Sequence, residues 1–198
     1  MKRIILILFI VTSSISSIAQ SPMGLLGCDL NKTAHELKMY LLKEKGFEFD
    51  FNREHYNLYE DLMNNIIIGR IAMFHELAGY NDVSEDDIFV SGLEFNLLNG
   101  SFDNTLDCSI AMQSFKDKIV MIIVRCYVET DRDKRAFQKI SNLYKHKYGE
   151  NAVREQLYLN EYNGAQWEIL ITENTMMYLN YDEAVNALQG YEFNTLMI

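Results

Sequence analysis

Ile119 to Val128 is apolar at nearly every position. A run of that length, rich in β-branched residues and lacking helix caps, reads as a strand covered on both faces. Just before it, Leu106, Cys108, Ile110 and Met112 alternate with Thr105, Asp107, Ser109, Ala111 and Gln113, which is the period-two pattern of a strand. The polar turn Ser114 to Lys118 joins the two into a hairpin whose second strand is central in a sheet. Two further strands follow the same logic. Gln156–Asn160 and Gln166–Thr172 flank Asn163-Gly164, the dipeptide favoured in two-residue hairpin turns, and Glu173-Asn174 then turns the chain into Thr175–Tyr181.

Helical spacing marks the rest. Over Asn31–Lys45, Ala34, Leu37, Tyr40 and Leu41 recur on one side, Thr33 and Glu36 spell a capping box, and Gly46 supplies the stop. Residues 53–80 carry a second apolar stripe, with Gly69 a place to bend. Thr130–Tyr148 is the strongest helix: Thr130 with Asp133 caps it, and Ala136, Phe137, Ile140, Leu143, Tyr144 and Tyr148 form the expected buried stripe. Asp182 is placed to cap a last short helix. The expected class is α+β, an antiparallel sheet with helices packed on one face. Aligning Gly46 with Gly149 superimposes the first and third helices; a duplication into helix-plus-sheet halves, 24–128 and 129–198 with 53–80 inserted in the first, would explain this, and so would any two amphipathic helices that end in Gly.

The N-terminus bounds where such a chain works. Lys2 and Arg3, an apolar run from Ile4 to Val11, and a small-residue stretch ending at Ala19 make a removable secretory signal over residues 1–19. The mature chain then begins at Gln20 as a single domain, 20–198, exported to the periplasm or cell surface. Eight unbroken apolar residues fall far short of the roughly 20 that span a bilayer. Leu25-Leu-Gly-Cys28 also spells a lipoprotein box, so lipidation of Cys28 is the competing outcome and the route to a membrane. The formal charge of −10 becomes more negative once Lys2 and Arg3 are removed, and a field of that sign disfavours nucleic acid and anionic lipid.

The Gly24-Leu-Leu-Gly lead-in, Lys45-Gly46-Phe47, Lys147-Tyr-Gly149 and the paired strands from Trp167 to Tyr181 together resemble the small exported proteins of unknown function common in Gram-negative bacteria. The element order over residues 24–47 and 97–181 is similar to that of the beta-lactamase inhibitor protein and of small outer-membrane assembly lipoproteins. The resemblance implies a fold and an exported location. It carries over no functional residue.

Motifs for chemistry are incomplete. His75-Glu76 begins a zinc-protease helix, but the second ligand position is Gly79. Asp82, Ser84 and Asp86 open a calcium loop whose sixth and twelfth positions are Asp87 and Leu93, neither of which fits. His35, His55, His75 and His146 lie in separate segments without ligand spacing. No catalytic, cofactor or metal site is expected. The function expected is a non-enzymatic binding module for a protein or glycan, with Tyr158 and Tyr162 in the aromatic-rich tail as the candidate surface. The rivals are a secreted hydrolase with a dispersed carboxylate site and an inhibitor of a secreted enzyme.

Cys108 and Cys126 are the last candidates. Both belong to the even-numbered apolar set of the hairpin. A three-residue turn centred on Asp117 sets them directly opposite, whereas one centred on Lys116 sets Cys108 against Val124. The first register brings the Cβ atoms near the spacing a disulfide needs, and an oxidising compartment permits the bond.

Overall fold

The computed structural model describes residues 24–77, 92–102, 104–148, 153–154, 167–171, 174–180 and 183. Among the described residues nine strands and three helices follow in chain order: β1 (Gly24–Leu25), β2 (Cys28–Asp29), α1 (Ala34–Glu44), β3 (Glu48–Phe49), α2 (Arg53–Leu77), β4 (Leu93–Phe102), β5 (Leu106–Phe115), β6 (Lys118–Cys126), α3 (Asp131–Tyr148), β7 (Val153–Arg154), β8 (Trp167–Ile171) and β9 (Thr175–Asn180). The class is α+β. Strands β1 and β2 form a small hairpin, and the other seven make one sheet ordered β3-β4-β5-β6-β9-β8-β7. All neighbours run antiparallel except the short edge strand β7, which lies parallel to β8.

β6 is central, and its residues from Ile119 to Val124 are all buried, as its unbroken apolar run requires. Both of its faces need cover, and two separate cores supply it. On one face α1 and α3 pack Leu37, Leu41, Phe137 and Ile140 against Ile110, Met112, Ile122, Val124 and Tyr178. On the other, α2 packs Tyr59, Met63 and Ile67 against Leu97, Ala111, Met121 and Ile123. The expectation of helices on one face is therefore corrected: it holds for α1 and α3, while α2 crosses to the opposite face. The physical reason lies in β5 and β6, where Ala111, Met121 and Ile123 would otherwise face water. Residues of β6 and β9 pair directly, Ile123 with Met177, so the sheet runs unbroken between the two segments expected as halves.

Local chemistry sets the helix ends where the sequence put them. Thr33 and Glu36 exchange both capping-box bonds at α1, and Thr130 and Asp133 do the same at α3. Gly46, at φ +68°, turns the chain out of α1 so that the Phe47 N–H reaches the Leu41 carbonyl at 3.0 Å. α2 continues through Gly69 without interruption. The β5–β6 turn places Lys116 and Asp117 at φ 48° and 62°, the left-handed geometry of a primed hairpin turn. Asp117 also serves α1: its carbonyl accepts the Ala34 N–H at 2.9 Å and its carboxylate the His35 N–H at 2.8 Å. A carboxylate suits the positive end of that helix.

Candidate functional site

The N-terminal hairpin is built into the main core. Leu25 is fully buried, and Leu26, Cys28 and Leu30 nearly so. Its turn residues Leu26 and Gly27 take φ 51° and 90°, and the Tyr40 hydroxyl donates to the Leu26 carbonyl at 3.0 Å. Two tyrosines at the end of α3 hold its other side. The Tyr148 hydroxyl accepts the Gly24 N–H at 3.0 Å, and the Tyr144 hydroxyl donates to the Gly24 carbonyl at 3.3 Å. Their rings lie 5.5 Å apart, and Tyr144 meets Tyr178 edge-on at 6.1 Å. Burial, followed by the neighbouring Tyr144, pushes the Tyr178 hydroxyl well above its ordinary value, which keeps it a neutral core residue.

Between this hairpin and α3 lies a groove of about 300 Å³, walled by Gly27, Phe102, Ile140, Leu143, Tyr144 and Tyr148. A second, shallower groove of about 400 Å³ runs along the outward side of α3 past Arg135, Lys139, Leu143 and His146. Leu143 belongs to both. The sequence places it in the buried stripe of α3, but it is 59 % exposed, and that expectation is corrected. The contact line of the helix runs through Phe137, Ile140, Ser141 and Tyr148. Leu143 is rotated about 100° from Tyr144, which carries it off the sheet and onto the seam between the grooves. Sequence reading missed it because a leucine three residues after Ile140 satisfies helical spacing.

The charge around Leu143 also differs from the rest of the chain. α3 holds Arg132, Lys134, Arg135, Lys139, Lys145 and Lys147 against Asp131 and Asp133, within a chain of net −10. Arg132, Arg135, Lys139 and His146 are all exposed.

The remaining sequence candidates distribute as follows. Tyr158 and Tyr162, the Asn163-Gly164 turn, the acidic stretch 82–87 and Asp182 lie outside the described residues. Tyr178 is core. His35 is exposed on α1, and the side chain of His75 also lies outside what is described. His55 Nδ1 sits 3.1 Å from the Asp50 carboxylate, whose other oxygen accepts the Asn52 N–H at 2.8 Å. Burial alone would raise the Asp50 carboxyl, but the hydrogen bonds from Asn52, His55 and Asn99 outweigh it and hold it below its ordinary value. Asn52 in turn accepts the Glu54 N–H at 3.0 Å, so the cluster organises the start of α2. Further along α2, the Tyr59 hydroxyl meets the buried Ser109 hydroxyl at 2.7 Å. Among the described residues no group of three or more histidines, cysteines, aspartates and glutamates could hold a metal ion, and no helix is long and apolar enough to cross a membrane.

Cys108 and Cys126 stand directly opposite in the β5–β6 ladder, both buried, with their thiols free. The hydrogen bond with Cys126, then burial, raises the Cys108 thiol far above its ordinary value. Cys28 is 3 % exposed in β2, and burial raises its thiol as well.

No family model matches the sequence, and neither a curated protein nor a solved structure matches the chain.

Proposed function

We propose that the chain is an exported binding protein that docks its partner on the outward side of α3, around Leu143. One observation carries the reading: a leucine 59 % exposed at the seam of two grooves, one walled by tyrosines and one by cations. An apolar side chain ringed by aromatic and cationic groups matches the make-up of interface centres, where Tyr and Arg are enriched.

The same reading holds the mature chain free of lipid. Lipidation of Cys28 ends in cleavage immediately before it, which would remove Gly24 to Gly27. Leu25 and Leu26 would leave the core, at roughly 1.5–3 kcal/mol for each buried leucine. That is a large share of the 5–15 kcal/mol, approximately, by which domains are stable. Cleavage after Ala19 keeps the hairpin whole.

The test is affinity capture from envelope extract with the wild-type chain and with Leu143→Asp. Leu143 is largely exposed, so the variant is expected to keep the wild-type circular dichroism and melting temperature while losing the captured partner. Hydrolytic turnover of glycosidase, peptidase, esterase or phosphatase substrates, abolished by replacing one carboxylate or histidine, would contradict the reading in favour of the hydrolase.

A further inference from the structure

We infer that the partner presents a short acidic protein segment carrying an apolar side chain. Its carboxylates would lie along the cationic line of α3, and its apolar group would enter the tyrosine-walled groove beside Leu143. This rests on the reading of α3 as the docking face and adds the chemistry of what docks there.

The first support is placement. Arg132, Arg135 and Lys139 follow one another at three- and four-residue steps, which puts them on a single line facing away from the Phe137–Ile140–Tyr148 contact side. The line runs along an α-helix of eighteen residues, about 27 Å long. Cations at these spacings, roughly 5–6 Å apart along the axis, match carboxylates spaced by three to four residues on a helical segment. Arginine adds planar, two-point recognition of carboxylate.

The second support is charge complementarity combined with length. Every surface outside α3 belongs to a chain that is net negative even with the cations of α3 included. A duplex or an anionic bilayer extends beyond the helix and approaches that acidic surface, where unlike a short segment it meets repulsion within a Debye length of roughly 8 Å. A segment that ends within about 27 Å escapes the repulsion.

The third support is Leu143 itself. A purely phosphate ligand gives no use to a leucine exposed to 59 % next to a groove walled by Phe102, Ile140, Tyr144 and Tyr148. An acidic segment with one or two leucines or phenylalanines uses both parts at once.

The experiment measures fluorescence anisotropy with a labelled peptide bearing Glu at three- and four-residue spacing and two Leu, alongside its Glu→Gln counterpart. The full mature chain is expected to bind the acidic peptide at least tenfold more tightly than the neutral one, with affinity falling as salt rises. Arg135→Glu with Lys139→Glu should weaken it at least tenfold and Leu143→Asp at least fivefold. Lys43→Glu, on exposed α1 surface, should leave it unchanged. Equal binding by wild type and the Arg135/Lys139 variant overturns the inference. So does tighter binding to vesicles made anionic with about 30 % phosphatidylglycerol or to a DNA duplex. Capture from envelope extract separates the two levels. A partner retained by the charge-reversed variant but lost with Leu143→Asp removes the acidic-segment inference and leaves the docking face. No partner captured by the wild type removes both.

Discussion

Cys108 faces Cys126 at a position where their two strands do not bond to each other. The Cys126 N–H turns away from β5 to the Asn174 carbonyl at 2.8 Å, while the next residue, Tyr127, donates to the Asp107 carbonyl at 2.8 Å. Pairs of this kind bring Cα atoms to about 4.5 Å and side chains closer than hydrogen-bonded pairs do, inside the range a disulfide accepts. We predict that the chain recovered from an oxidising compartment carries the Cys108–Cys126 bond. Thiol counting in denaturant without reductant should find one thiol per chain, that of Cys28, and three thiols would contradict it. By loop-closure entropy the bond adds about 3 kcal/mol for a loop of about 18 residues.

That register was open in the sequence for a physical reason. The hairpin turn is two residues, Lys116 and Asp117, which pairs Phe115 with Lys118. A bulge between Gln113 and Ser114 then shifts the ladder by one residue and delivers Cys108 to Cys126. A bulge has no marker in a single sequence. The capping boxes at Thr33 and Thr130 were legible because all their atoms lie within four residues. The side of the sheet that α2 covers was not: an apolar stripe says that a helix is covered, and only the connections around β3 and β4 say by what. Strand β4 was legible only as part of a period-two stretch, because Leu97-Leu98 breaks its alternation. For the candidate site, the cations of α3 were visible as sequence. Their meaning was not, because Leu143 fits the buried spacing and the hairpin that shapes the groove is short.

The hairpin supports a prediction on processing. Mass spectrometry of the natively produced protein should show a chain beginning at Gln20. Leu25→Ala should lower stability by about 2–5 kcal/mol, the usual cost for a fully buried leucine. A diacylglyceryl mass on an N-terminal Cys28 would contradict the first expectation, and a denaturation midpoint unchanged in Leu25→Ala the second.

Gly100 in β4 supports another. A Cβ at this position would lie 2.6 Å from the ring of Phe47, which is itself 2 % exposed. Gly100→Ala should therefore destabilise by about 1–3 kcal/mol through overpacking. Phe47→Leu in the same chain should recover part of that loss, because the clash is with the ring. Additive losses in urea denaturation would show that the contact is not the cause.

Acid sensitivity follows from Asp50. Its carboxyl is lowered in the folded chain, so its contribution to stability is present above the unfolded value near 3.8 and is lost as pH falls through the lower folded value. Asp50→Asn should flatten the acid limb of a stability–pH profile between about pH 5 and pH 2. An identical acid limb in wild type and variant would rule out this role for Asp50.

The central claim, that the partner docks at Leu143, is tested most directly by site-specific photo-cross-linking from position 143 in producing cells. Leu143→benzoylphenylalanine is compared with the same substitution at Leu58 on α2. The two positions are matched in exposure, at 59 % and 58 %, and differ in their surroundings. Docking at Leu143 gives a discrete, light-dependent adduct from position 143 and none from position 58. No adduct from position 143, or the same adducts from both positions, would contradict it.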